Sequence, residues 1–222
     1  MNAKEIKKES LYLRDVILEK VSAFKKNKGE PVISPFVMGL DISKNKTGIA
    51  ILNEETMKTV YYVYYEPSTD DIKETALEYS FLIDLLFNRY NISKVIIEDT
   101  FVSDKTSSIK DLSIVHGSML INILMRNVRI FKIPTMSCKA FFNCAKTLKD
   151  DLGKTIKTSK EVLFDEIKKI FNLDESLDFK NFNDVTDAIA LAACVKNNKM
   201  KKKTITKNKI KQDIYVPILS EY

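Results

Sequence analysis

The chain has 222 residues, of which 45% are hydrophobic and 30% charged, and a formal net charge of +6. That length suits one domain with extensions and buries a core without staples, while the positive balance points to a polyanionic partner, nucleic acid being the commonest. Three cysteines without zinc or redox spacing argue against a disulfide framework, and the longest apolar stretch, at 114–125, is too interrupted by polar residues to span a bilayer.

The expectation is therefore an intracellular protein with reduced thiols, since the lysine- and glutamate-rich start does not read as a secretory signal. Residues 1–30 carry Ile6, Leu11, Leu13, Val16, Ile17, Val21 and Phe24 at roughly helical spacing, which predicts a peripheral amphipathic helix ended by Gly29, Pro31 and Pro35. Phe36 to Asp41 reads as a buried strand. Thr47-Gly48 turns into a second, antiparallel strand, and the β-forming run from Thr59 to Tyr65 completes a three-stranded meander. Pro67 stops it, and Ser68 or Thr69 is expected to cap a helix whose apolar positions run from Ile72 through Ala76, Tyr79, Ile83 and Leu86 to Tyr90.

A fourth strand, Ile92 to Ile97, is apolar enough to be buried on both faces and so parallel to a neighbour, with Glu98 at its C-terminal end. The pattern then predicts a helix from about Ile109 to Asn127 and a fifth strand from Arg129 to Ile133. A helix from about Ser137 to Leu148 follows, then a loop at 149–157. Thr158 and Glu161 have capping-box spacing before a helix that reaches Phe171, and a last helix is expected from about Asn183 to Lys196. From Lys196 to Lys211 the tail holds eight lysines and no acid. The reading is an α/β domain with a mixed five-stranded sheet flanked by helices, over residues 36–196, with an N-terminal helical extension at 1–35 and a basic tail at 197–222.

A strand that ends on an aspartate needs company for the charge, because an isolated buried carboxylate costs on the order of several kcal/mol or more. Glu98, Asp184 and Asp187 are the candidates. The last two stand three positions apart on one helical face, beside the small residues Ala188 and Ala192 that let that helix lie close to a sheet. At 4 Å each like-charge pair costs on the order of 4 kcal/mol at an effective dielectric of 20, so such a cluster asks for cations. Oxygen-only ligands suit Mg²⁺ or Mn²⁺ and not zinc. Taken singly, each acid has a bland reading as a surface or helix-dipole residue; their joint placement beside apolar runs argues otherwise.

The residues Gly39-Leu40-Asp41-Ile42-Ser43 with Thr47-Gly48, then Ile97-Glu98, then Asp184-Val185-Thr186-Asp187-Ala188, resemble the RuvC family of Holliday-junction resolvases, within the ribonuclease-H-like (retroviral-integrase) superfamily. The resemblance covers about 37–195. It implies a ribonuclease-H-like fold and two Mg²⁺ ions per site, replaceable by Mn²⁺, held by Asp41, Glu98, Asp184 and Asp187. It further implies Lys139 and Lys160 near the scissile phosphate, and Phe101 as an aromatic stacking on bases near the junction. Lys105, Lys154 and Lys157 join Lys139 and Lys160 as expected DNA contacts. Gly117 falls where the family has a helix glycine, expected to permit close packing, and the sole histidine, His116, reads as structural. The implied activity is paired phosphodiester hydrolysis of four-way DNA junctions by a homodimer built on the helix after Glu98, acting in the cytoplasm, a nucleoid or a viral replication site, with no membrane partner. Rivals are a nuclease of the same fold acting on RNA–DNA hybrid or other branched DNA, an actin-like phosphotransferase, and a non-catalytic nucleic-acid-binding module. Five glycines are too few for the phosphate loops of the phosphotransferase, and a binding surface for polyanions gains nothing from clustered acids.

Overall fold

The computed structural model describes residues 1–23, 36–99, 106–126 and 128–195. Phe101 and Lys105, and the tail beyond Val195, lie outside the described residues. Strands β1 (Phe36–Asp41), β2 (Thr47–Asn53), β3 (Thr59–Tyr65), β4 (Ile92–Glu98) and β5 (Arg129–Ile133) form one sheet in the order β3-β2-β1-β4-β5. The first three make the antiparallel meander, with Leu40 opposite Ile49 and Ile49 opposite Val63. β4 runs parallel to β1 and β5 parallel to β4, placing the C-terminal ends of β1 and β4 side by side. The mixed five-stranded sheet expected from the apolar runs is thus the one that forms.

Helices α2 (Ile72–Arg89) and α3 (Thr106–Leu124) pack on each other, Asn122 of α3 donating to the Ser80 carbonyl at 2.7 Å. Helix α6 (Phe179–Ala193) lies across β1 and β2, with α5 (Ser159–Ile170) against it. Because β2 is buried from Thr47 to Leu52, side chains on both of its faces are covered. Helix α1 (Ala3–Ala23) packs on β3 and α2 and buries Ile6, Leu13 and Ile17 fully in the common core, while Leu11 stays exposed. Arg89 ties it down through Glu9 at 3.1 Å.

Several boundaries differ from the sequence expectation. Asp71, not Ser68 or Thr69, caps α2, its carboxylate accepting from the Lys73 and Glu74 amides. Ser68 instead serves the buried Glu78, whose carboxylate also accepts from the Tyr65 hydroxyl at 2.7 Å; an acid in the core takes precedence over a cap that a neighbour can supply. Helix α3 begins at Thr106 rather than Ile109 and ends at Leu124. The helix expected over 137–148 is the short α4 (Thr135–Phe141), started by Pro134 and stopped where Asn143 takes φ +59°. In place of a plain loop, β6 (Leu148–Lys149) and β7 (Thr155–Lys157) form a separate hairpin. The Thr158–Glu161 capping box is present at the start of α5. Helix α6 begins four residues earlier than Asn183, because the Asp178 carboxylate takes the Asn181 amide at 3.0 Å.

Candidate active site

Two glycines set the geometry. A Cβ on Gly39 of β1 would stand 2.0 Å from the Ala188 carbonyl oxygen, and one on Gly48 of β2 would stand 1.9 Å from that of Asp184. The backbone of α6 therefore rests directly on the two strands, which only residues without a side chain permit. This contact carries Asp184 and Asp187 to the strand ends that bear Asp41 and Glu98. The small residues expected on α6, Ala188 and Ala192, are the helix side of the same contact.

Asp41, Glu98 and Asp187 line one cleft with Thr135, Cys138, Lys139, Leu163 and Leu191. The Asp41 and Glu98 carboxyl groups stand within hydrogen-bonding reach of each other, and the Thr135 hydroxyl donates to Glu98. Burial, then the charges of Asp187 and Glu98, push the Asp41 carboxyl well above the usual carboxylate range. Glu98 is raised by burial and by Asp187. Asp187 is also raised by burial, although Lys160 pulls the other way.

Asp184 lies at the edge of this group. Its carboxylate is bracketed by Lys46 at 3.6 Å and Lys160 at 4.0 Å, and its charge still reaches Asp41. Lys160 stands 3.0 Å from Asp187. Burial alone would lower the Lys160 ammonium; the charge and hydrogen bond of Asp187 outweigh it and raise it. Lys139 donates to the Ser159 hydroxyl at 3.1 Å and lends its charge to Glu98 and Asp187. Both lysines expected near a phosphate thus face the acids. Lys154 and Lys157 do not: they sit on the β6–β7 hairpin, Lys157 paired with Asp165.

The donor set, four carboxylates from three elements, is the oxygen-only chemistry that suits a hard divalent cation. Among the described residues no three acidic, histidine or cysteine side chains stand together as a group able to hold a metal ion, and Lys160 is ion-paired with Asp187.

Sequence reasoning missed Lys46, Thr135 and the sulfur pair. Lys46 closes the β1–β2 turn, donates to the Asn181 carbonyl and lies 4.3 Å over the Tyr64 ring. Thr135 was available as the residue opening a helix after Pro134. Cys138 and Cys194 bring their Sγ atoms within 3.5 Å beneath the cleft, a proximity that spacing could not reveal. Two expectations about α3 are refined. His116 is half-buried and held to the Ile42 backbone, with burial and Lys132 lowering its imidazole; its buried Nε2 has no hydrogen-bond partner. Gly117, expected to permit close packing, faces open space, so nothing within this chain requires its small size.

The sheet order, with acids at the ends of the adjacent parallel strands and on the helix crossing them, defines a ribonuclease-H-like nuclease fold. The family model described as "Crossover junction endodeoxyribonuclease RuvC" matches residues 37–195, and the chain belongs to that family. Relatives bearing the same description include one from Helicobacter pylori (strain G27), 24% identical over 70% of this chain and 92% of its own length. Another, from Ehrlichia canis (strain Jake), is 26% identical over 71% of this chain and 94% of its own. Among solved structures, Thermus thermophilus RuvC in complex with a Holliday junction substrate superposes with a TM-score of 0.57 at 16% identity, covering 71% of this chain and 90% of that one. RuvC from the same organism described on its own gives 0.54 over the same shares.

Proposed function

We propose that the protein is a metal-dependent, structure-selective endonuclease that resolves four-way DNA junctions by paired phosphodiester hydrolysis. What carries the reading is the convergence of Asp41, Glu98, Asp184 and Asp187 at the ends of β1 and β4 in a chain of this family. Asp41, Glu98, Asp184 and Asp187 would hold two Mg²⁺ ions, with Mn²⁺ as a substitute, and these supply Lewis-acid stabilisation of the phosphate and a nucleophilic water at neutral pH. The chain's own residues do the rest. Lys139 and Lys160 place fixed positive charge where the non-bridging oxygens gain negative charge. Thr135 fixes the rotamer of Glu98. Leu163 and Leu191 keep the floor of the cleft apolar, which strengthens every charge interaction above it.

A four-way junction is two-fold symmetric, and paired cuts ask for a homodimer. Helix α3 supports this: Ile114, Ile121 and Leu124 are exposed along it and Met125 just past its end, with Gly117 open among the first three. A second copy of this helix would cover that stripe, the glycine allowing close approach. Among the described residues no helix is long and apolar enough to cross a membrane.

The test is purified protein with a synthetic immobile junction, with and without Mg²⁺, beside an RNA–DNA hybrid duplex. Symmetric nicks near the branch, dependent on Mg²⁺, are expected; preferential cutting of the hybrid would move the protein to another branch of the superfamily.

A further inference from the structure

The geometry points to the β6–β7 hairpin as a branch-sensing wedge: Leu152 at its tip enters between bases where DNA strands exchange, while Lys149 and Lys154 on either side of it hold the flanking phosphates. The inference rests on the nuclease reading above and deepens it.

Leu152 is 94% exposed, with Leu148 and Ile156 exposed on the strands below it. Turn positions at a hairpin tip are ordinarily polar. This tip is nevertheless built with care. The Asp150 carboxylate accepts from the Leu152 amide at 3.0 Å and from the Lys154 amide at 2.8 Å. The Asp150 amide donates to the Lys154 carbonyl at 2.9 Å, the Gly153 amide donates to the Asp150 carbonyl at 3.0 Å, and Gly153 takes φ +79°. A fixed turn thus holds out a bare aliphatic side chain instead of letting it fold back.

Charge selects the occupant. Residues 146–157 hold four lysines (Lys146, Lys149, Lys154, Lys157) against Asp150 and Asp151. One of those acids serves the turn, and Lys157 is paired with Asp165 from α5. A surface that offers cations along its sides and hydrocarbon at its point matches DNA, phosphate outside and base faces within. The hairpin also leads straight into the Thr158 cap of α5, two residues before Lys160. The six residues from Leu152 to Thr158 reach at most about 20 Å, or roughly six base pairs of duplex. Inserting a wedge costs unstacking, and that cost is lowest where stacking is already broken. A wedge at this position therefore favours branched over continuous DNA.

The test uses the full-length protein in EDTA, so that binding is read without cleavage, and a four-way junction with 2-aminopurine at the branch. Wild-type protein is expected to raise the fluorescence as the base unstacks. Leu152→Ser should abolish that rise and reduce the preference for junction over linear duplex about tenfold, the loss of one well-buried aliphatic contact. Its melting temperature should not change, since the side chain is exposed, and Leu152→Phe should restore the signal. The joint change of Lys149 and Lys154 to Gln should weaken binding to both DNAs alike. A junction-selective wild type whose signal and preference survive Leu152→Ser overturns the wedge alone. A wild type with no preference for the junction overturns the nuclease reading beneath it.

Discussion

Asp41 sits where a carboxylate is least comfortable, deep in the cleft with Glu98 and Asp187 for neighbours. Its folded-state pKa lies above the unfolded value, so between the two the folded chain binds more protons. Stability contributed by the protonated group is fully present below the unfolded pKa and is lost as pH rises through the raised one. Metal-free protein should therefore melt at lower temperature as pH rises above about 4, the raised Glu98 and Asp187 acting in the same direction. Asp41→Asn, which cannot ionise, should flatten that part of the profile and raise the melting temperature at neutral pH in EDTA. The same variant should keep junction binding and lose cleavage, and retained cutting would refute the assignment. Lys160→Met should cost cleavage about 10²- to 10³-fold in turnover under single-turnover conditions, the usual worth of one fixed charge at a developing anion. At this scale the four acids were legible because each closes or sits beside an apolar run, an improbable place for charge. Lys46 was not, because one lysine in a polar turn looks like any other until the fold delivers Asp184 to it.

The element that organises the site is α6, and its hold on the sheet is backbone against backbone at Gly39 and Gly48. Gly48→Ala must displace either the strand or the helix, so a loss of about 3 kcal/mol, at the upper end of overpacking costs, is expected from denaturant melts, with activity falling further than stability alone explains. Thr158→Ala, which removes half of the capping box on α5, should cost about 1 kcal/mol in the same measurement. Strands and long helices were readable from periodicity, since β1 to β5 and α2 each carry runs that admit one reading. The start of α6 was misplaced because Asp178 looked like one more acid in a polar stretch, and only its bond to the Asn181 amide marks it as the cap. The β6–β7 hairpin escaped notice for a different reason. Its strands are two and three residues long and exposed, so they carry no burial pattern to detect.

For the molecule as a whole, affinity for DNA should fall steeply with salt, because lysines on the hairpin and around the cleft would each displace a condensed counterion. Ile121→Asp on the bare face of α3 should shift a dimer to monomer in sedimentation and uncouple the two nicks while leaving the fold intact, since the side chain is 62% exposed. The stretch from α4 to β7 stands apart from the rest: it carries Lys139 and the hairpin and buries only Cys138 and Cys144. The acids, by contrast, ride on β1, β4 and α6, whose inward residues are wholly buried. Because α6 lies on bare glycine backbone, that half behaves as an anvil with no slack, while Lys139 rides on the more open stretch beside it. Hydrogen–deuterium exchange should report this division directly, with amides of 36–52 and 185–193 exchanging last and those of 142–157 first.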